Sequence, residues 1–169
     1  MKRLSILKSF IDILRVLLIA AIVIGMPFCL MLLFAPHIMS REFMDVKASD
    51  IPKAEVVLIT LMIGSLYFGI YALRLLSNTL GYFRDGYFFE TEVVINFNKI
   101  GKAVVAGYLI SSLPWMVYQT FATPVIELAD PADWLIDTLS TLALGLFFLV
   151  LSEVFQAAKR MKEENDLTV

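Results

Sequence analysis

Residues 16–35, VLLIAAIVIGMPFCLMLLFA, run for twenty positions without a charge, between Arg15 and the Pro36-His37 pair. A helix of that length extends about 30 Å, the thickness of the hydrocarbon layer of a bilayer, so the stretch reads as a membrane span. Three further blocks follow. Residues 56–73 (VVLITLMIGSLYFGIYAL) lie between Glu55 and Arg74. Residues 103–126 lie between Lys102 and Glu127, with Pro124 setting the helix stop at Ala122 or Thr123. Residues 138–152 lie between Asp137 and Glu153, and Trp134, Leu135 and Ile136 extend that block outward. The whole chain of 169 residues is 59% hydrophobic and 18% charged, with a mean hydropathy of +0.80. Soluble domains sit near roughly 45–50% apolar and about 25% charged. Because the excess comes in long blocks and not in alternation, it specifies spans and not strands. The expected fold is all-α: an integral membrane four-helix bundle forming a single domain over residues 1–169. Its spans cover about 13–35, 56–76, 103–122 and 134–153, and a cytoplasmic helical tail covers 154–169.

Sidedness follows from the basic residues. Placed on alternate sides of four spans, eleven Lys and Arg fall with the two termini and the middle loop, and three (Arg41, Lys47, Lys53) fall in the other two loops. The richer side is normally cytoplasmic, so both termini and the middle loop are expected there, in a multi-pass membrane protein. The first and third loops hold eight carboxylates (Glu42, Asp45, Asp50, Glu55, Glu127, Asp130, Asp133, Asp137), making the outer face acidic. The first apolar run is longer than the core of a secretory signal, and no small-x-small site follows it in APHIMSRE, so it is read as an uncleaved span.

Chemistry-bearing residues are sparse. Cys29 is alone in the first span and reads as a small buried hydrophobe; His37, the single histidine, reads as a solvated residue at the outer end of that span. No second His or Cys is available to complete a metal site, no Ser-His-Asp set can form, and no glycine-rich phosphate loop is present. No enzymatic activity, no cofactor and no direct nucleic-acid binding are expected.

In lipid, helices associate through small residues that let backbones approach. The spans supply Ala21 and Gly25, Ser65 and Gly69, the stripe Ala103, Gly107 and Ser111, and Thr141 and Gly145. The stripe on the third span is longest, so that span is placed centrally, and self-association through such faces is left open. Pro27 and Pro114 are expected to kink spans one and three. Trp115, Tyr118 and Trp134 read as anchors at the outer interface. Asp12, with Lys8 and Arg15 at helical spacing, reads as a local ion network. Glu153, taken to lie at a depth similar to Arg74 and Lys102, is expected to pair with one of them, snorkelling to the headgroups being the competing reading.

The middle loop and the tail carry the remaining signals. Leu75, Leu76, Leu80, Tyr82 and Phe83 continue the second helix past the membrane until Arg84, Asp85 and Gly86 break it. Tyr87, Phe88 and Phe89 follow, and Thr91 is a candidate N-cap for a helix that runs on into span three. Residues 153–165 (EVFQAAKRMKEEN) extend the fourth helix, with Val154, Phe155, Ala158 and Met161 on one stripe. Phe88, Phe89, Phe155, Met161, Leu167, Thr168 and Val169 are therefore the candidate partner-docking residues, in competition with simple burial in the headgroup layer.

Two of these stretches, GYFFETEVVINFNKIG at 86–101 and LVLSEVFQAAKRMKEENDLTV at 149–169, resemble segments of a bacterial family of four-span membrane proteins known as domain of unknown function 2975. The likeness rests on Gly86, Phe88, Ile100 and Gly101 in the loop, and on Glu153 and residues 164–169 (ENDLTV) in the tail. Members of that family are often encoded beside a small helix-turn-helix regulator, so the resemblance implies a cytoplasmic DNA-binding protein as partner. The expected function is that of a membrane sensor or sequestering partner of such a regulator. The alternative is a small-molecule or lipid carrier or transporter component, for which Asn78, Ser111, Ser112 and Gln119 are the nominees for a polar site. None of the four is a charge at mid-bilayer.

Overall fold

The computed structural model describes residues 2–35, 52–122 and 131–167. They form four helices: α1 Lys2–Phe34, α2 Lys53–Arg84, α3 Thr91–Ala122 and α4 Pro131–Asp166. No strand occurs among the described residues. Each apolar block lies inside one helix, and all four helices are long and apolar enough to cross a membrane. His37, most first-loop and third-loop charges, Thr168, Val169 and the side chain of Trp134 lie outside the described residues.

Every helix is longer than a span requires. The shortest have 32 residues, about 48 Å at ~1.5 Å per residue, against about 30 Å of hydrocarbon. At the end carrying the α1–α2 and α3–α4 connections (the loop end), apolar residues begin within a few positions of each helix terminus. The surplus therefore collects at the opposite end, which carries both termini and the α2–α3 turn (the terminal end). α1 and α3 pass through Pro27 and Pro114 as single helices.

Contacts at successive levels make each neighbouring pair antiparallel. Between α1 and α2, Ser77 Oγ donates to Asp12 Oδ1 at 3.0 Å, Gly69 faces Leu18 and Gly25 faces Ile63. Between α2 and α3, Phe83 meets Phe97, Gly107 lies against Phe68, and the Tyr118 hydroxyl donates to Glu55 Oε1 at 3.1 Å. Between α3 and α4, Ser152 Oγ donates to the Val94 carbonyl at 2.9 Å, Gly101 lies on Gly145, and the Tyr108 and Thr138 hydroxyls share a hydrogen bond. The helices thus stand in a row in chain order, and α1 and α4 share no extensive contact among the described residues. The third span is flanked on both sides, in keeping with its central placement, and α2 is flanked in the same way.

The small-residue stripe divides between the two neighbours of α3. Ala103 is buried in a cluster with Ala72 and Leu75 of α2, and a Cβ added at Gly107 would lie 2.9 Å from Phe68 Cβ. Gly145 meets the other face: a Cβ there would lie 2.6 Å from Val105 Cγ2, and one at Gly101 would lie 2.7 Å from the Gly145 carbonyl oxygen. Ser111 bridges no helices and donates to its own backbone, at the Gly107 and Tyr108 carbonyls. Gly101, read from the sequence only as a family residue, is the tightest packing position on α3.

A cluster of buried residues comprises Ala72, Leu75, Val93, Phe97, Ile100 and Ala103, with Phe83, Phe148, Leu151 and Phe155 packed against it, and lies toward the terminal end; Cys29 and Val56 are buried outside it, toward the loop end. Lipid chains cover apolar side chains as well as a neighbouring helix does, so helices within the hydrocarbon gain little by excluding them. Where the helices emerge, water restores the hydrophobic drive and the core condenses there.

Candidate docking surface

The surface begins at the end of α2. Asp85 caps the helix, and the amides of Gly86 and Tyr87 donate back to the carbonyls of Phe83 (3.3 Å) and Tyr82 (2.9 Å). That pair of bonds is a Schellman motif, which needs a left-handed residue after the cap. Gly86 supplies it, with φ +87°. The reversal presents Tyr87, Phe88 and Phe89 before α3 starts at Thr91, and the Val93 amide donates to the Glu90 carbonyl at 3.1 Å in the first turn. Thr91 is thus the first helical residue, one place later than an N-cap.

An aromatic cluster holds the turn to α4. Phe83 is its hub, with ring centroids 5.5 Å from Phe88, 6.2 Å from Phe97 and 5.7 Å from Phe155. Phe97 adds Phe155 at 5.2 Å and Phe148 at 6.1 Å. Two expected docking residues, Phe88 and Phe155, accordingly give one ring face to the protein itself. Phe88 remains 46% exposed, while Phe155 is half-buried.

Cations complete the joint. Lys162 Nζ stands 5.9 Å from the Phe89 ring centroid, a cation–π distance. Lys159 donates to the Thr91 hydroxyl and lies 3.6 Å from Glu163 Oε1 one turn on. The loop and the tail, far apart in sequence, are therefore one surface. Tyr87 on the turn is 57% exposed, and Met161 and Leu167 on the tail are 63% and 87% exposed. Sequence reasoning noted Tyr87 without nominating it, and it missed Lys159 and Lys162 as the groups that join tail to turn.

Glu153 is placed differently from expectation. The rungs Ser152–Val94 and Gly145–Gly101 put Glu153 beside the start of α3, eight or nine residues from Lys102, or about 12 Å along the axis. Glu153, Arg74 and Lys102 are all exposed, and the structure brings Glu153 into an ion pair with neither cation. The mismatch arises because the uncharged block of α4 reaches more than two turns farther toward the terminal end than that of α3.

Beside the turn, α1, α2 and α3 enclose a polar recess of about 400 Å³ that includes Lys8, Asn78, Arg84, Asp85, Glu92 and Asn96. Arg84 is held by Asp85 at 3.0 Å. Of the expected Asp12 network, the Arg15 contact forms at 3.9 Å, whereas Lys8 faces this recess, and Ser77 supplies the cross-helix partner. Among the described residues no three His, Cys, Asp or Glu side chains are grouped as metal ligands.

The match to a family model, described as a protein of unknown function (DUF2975), extends over residues 12–169 and takes in α1 from Asp12 onward, the other three helices and both segments of this surface. The chain belongs to the DUF2975 family. No curated protein and no solved structure matches it. The family residues Gly86 and Phe88 form the turn and its ring contact with Phe83, and Ile100 (1% exposed) and Gly101 form the core beneath it.

Proposed function

We propose that this DUF2975 protein is a non-enzymatic component of a bacterial cell membrane with both termini in the cytoplasm, and that its terminal end holds or releases a small helix-turn-helix transcription regulator. The observation that carries this reading is the exposure of apolar side chains beyond the uncharged spans, Tyr87, Phe88 and Phe89 on the turn and Met161 and Leu167 on the extension of α4. Apolar side chains beyond the reach of lipid tails mark contact surfaces. Their assembly from both segments that carry the family resemblance, and the regulator that resemblance implies, support a protein partner. The carrier alternative has weaker support. Asn78 lies in the recess beyond the span, and Ser111 is bonded to its own helix.

The test is co-purification from detergent with the product of the adjacent gene, comparing the full chain with one lacking residues 164–169. Recovery of the regulator with the full chain and its loss on truncation is the expected result. Equal recovery from both discards docking by the tail.

A further inference from the structure

On the membrane-facing side of the α2–α3 seam lies a groove of about 330 Å³, walled by Tyr67, Phe68, Tyr71 and Ala106, with Lys99 and Lys102 at its end toward the termini. A second groove of about 300 Å³ shares the same two lysines and continues toward the terminal end along α3 and α4, past Asn98 and Gln156. The sequence of surfaces along this path is apolar and tyrosine-lined, then cationic, then amide-lined. Lys102 stands one residue outside the uncharged third block, so the change occurs at headgroup depth.

The charges there are uncompensated by protein. Neither Lys99 nor Lys102 has a carboxylate within ion-pair distance among the described residues, and Arg74 on α2 stands at about the same depth. The Tyr67 and Tyr71 hydroxyls also have no protein hydrogen-bond partner among the described residues. In the hydrocarbon layer such hydroxyls gain from an acceptor, and glycerol ester carbonyls lie just below the phosphate.

We propose that these two grooves form a binding site for an anionic phospholipid of the leaflet bordering the terminal end. Lys99 and Lys102 hold the phosphodiester, one acyl chain lies along Tyr67, Tyr71 and Ala106, and the headgroup reaches Asn98 and Gln156. Basic pockets between membrane helices select acidic headgroups in this way. The inference does not depend on the regulator reading.

The experiment uses the full chain in neutral detergent and reads bound lipid by native mass spectrometry, titrating dioleoyl phosphatidylglycerol, dioleoyl phosphatidylcholine or inorganic phosphate. Phosphatidylglycerol is expected to bind saturably with one site preferred, and the other two are not. Lys99→Gln and Lys102→Gln should each weaken it roughly fivefold. Ala106→Trp, which fills the chain slot without changing charge, should weaken it as well, while Lys53→Gln with Arg160→Gln, which removes twice the charge elsewhere, should not. Circular dichroism of each variant confirms the fold. Equal binding of phosphatidylcholine, full competition by inorganic phosphate, indifference to Ala106→Trp, or equal loss in the Lys53/Arg160 variant would each overturn the proposal.

Discussion

At Gly101 the backbone of α3 comes so near α4 that a Cβ would lie 2.7 Å from the Gly145 carbonyl oxygen and 2.7 Å from Leu149 Cγ. A carbonyl cannot swing aside as a side-chain terminus can, and the Val105 methyl 2.6 Å from a Cβ at Gly145 belongs to a β-branched side chain with little rotamer freedom in a helix, so Gly101→Ala and Gly145→Ala should each destabilise the solubilised chain by about 1–3 kcal/mol. Gly64 is the control: its added Cβ would meet only the flexible Met26 Cε, at 3.4 Å, and Gly64→Ala should stay within roughly 0.5 kcal/mol of the parent. Thermal unfolding in one detergent compares all three, and equal shifts would show that the α3–α4 crossing is not the sensitive one. Gly86 is constrained for a different reason. Nothing lies within 4 Å of its absent side chain, so Gly86→Ala should lose about 1–2 kcal/mol to backbone conformation alone, and Gly86→Asn should lose less. The turn glycine was legible because Arg-Asp-Gly after an apolar helix is turn chemistry. Gly101 was not, because spacing alone does not say which of two neighbouring helices a small residue faces.

The extension of α4 is an element whose position depends on α3. Phe97 touches Phe83, Phe148 and Phe155, so Phe97→Ala removes the shared support of the turn and the tail at a cost of about 3–5 kcal/mol. Amide hydrogen exchange should rise together at residues 82–89 and 150–160; a rise confined to one segment would contradict a joint built on this ring. Glu153→Gln, by contrast, should leave stability within roughly 0.5 kcal/mol of the parent, since the carboxylate is exposed and holds no ion pair. The sequence marked where each helix is apolar, but register between helices depends on how far each protrudes. No charge boundary reports that distance, which is why the depth assigned to Glu153 differed from its position beside Val93. The docking residues were legible as aromatics beyond the span; that Phe88 and Phe155 meet through Phe83 was not, because it requires the register.

For the whole molecule, block length made four spans legible, and the antiparallel rungs add that the α2–α3 turn and both termini share one end. Cysteines introduced at Tyr87 and Glu164, in a chain whose Cys29 is replaced by Ser, should therefore react with a membrane-impermeant maleimide from the same side of sealed vesicles, the cytoplasmic one. Labelling of the two positions from opposite sides would break the shared end. Cys29 itself is buried, so it is a poor target for that reagent in the parent chain as well.

The row also bears on biosynthesis. Among the described residues, apart from the touch of Phe83 on Phe155, each helix finds its extensive packing in the helix made just before or just after it. No interface has to wait for a distant segment to leave the ribosome, so α1 and α2 can settle as a hairpin while α3 is being inserted, and α3 can dock before α4 exists. The cap that ties the tail to the turn closes after the three helix pairs, because Lys159 and Lys162 follow the spans in the chain. The surface assigned to a partner is therefore complete only once α4 has followed the other three helices.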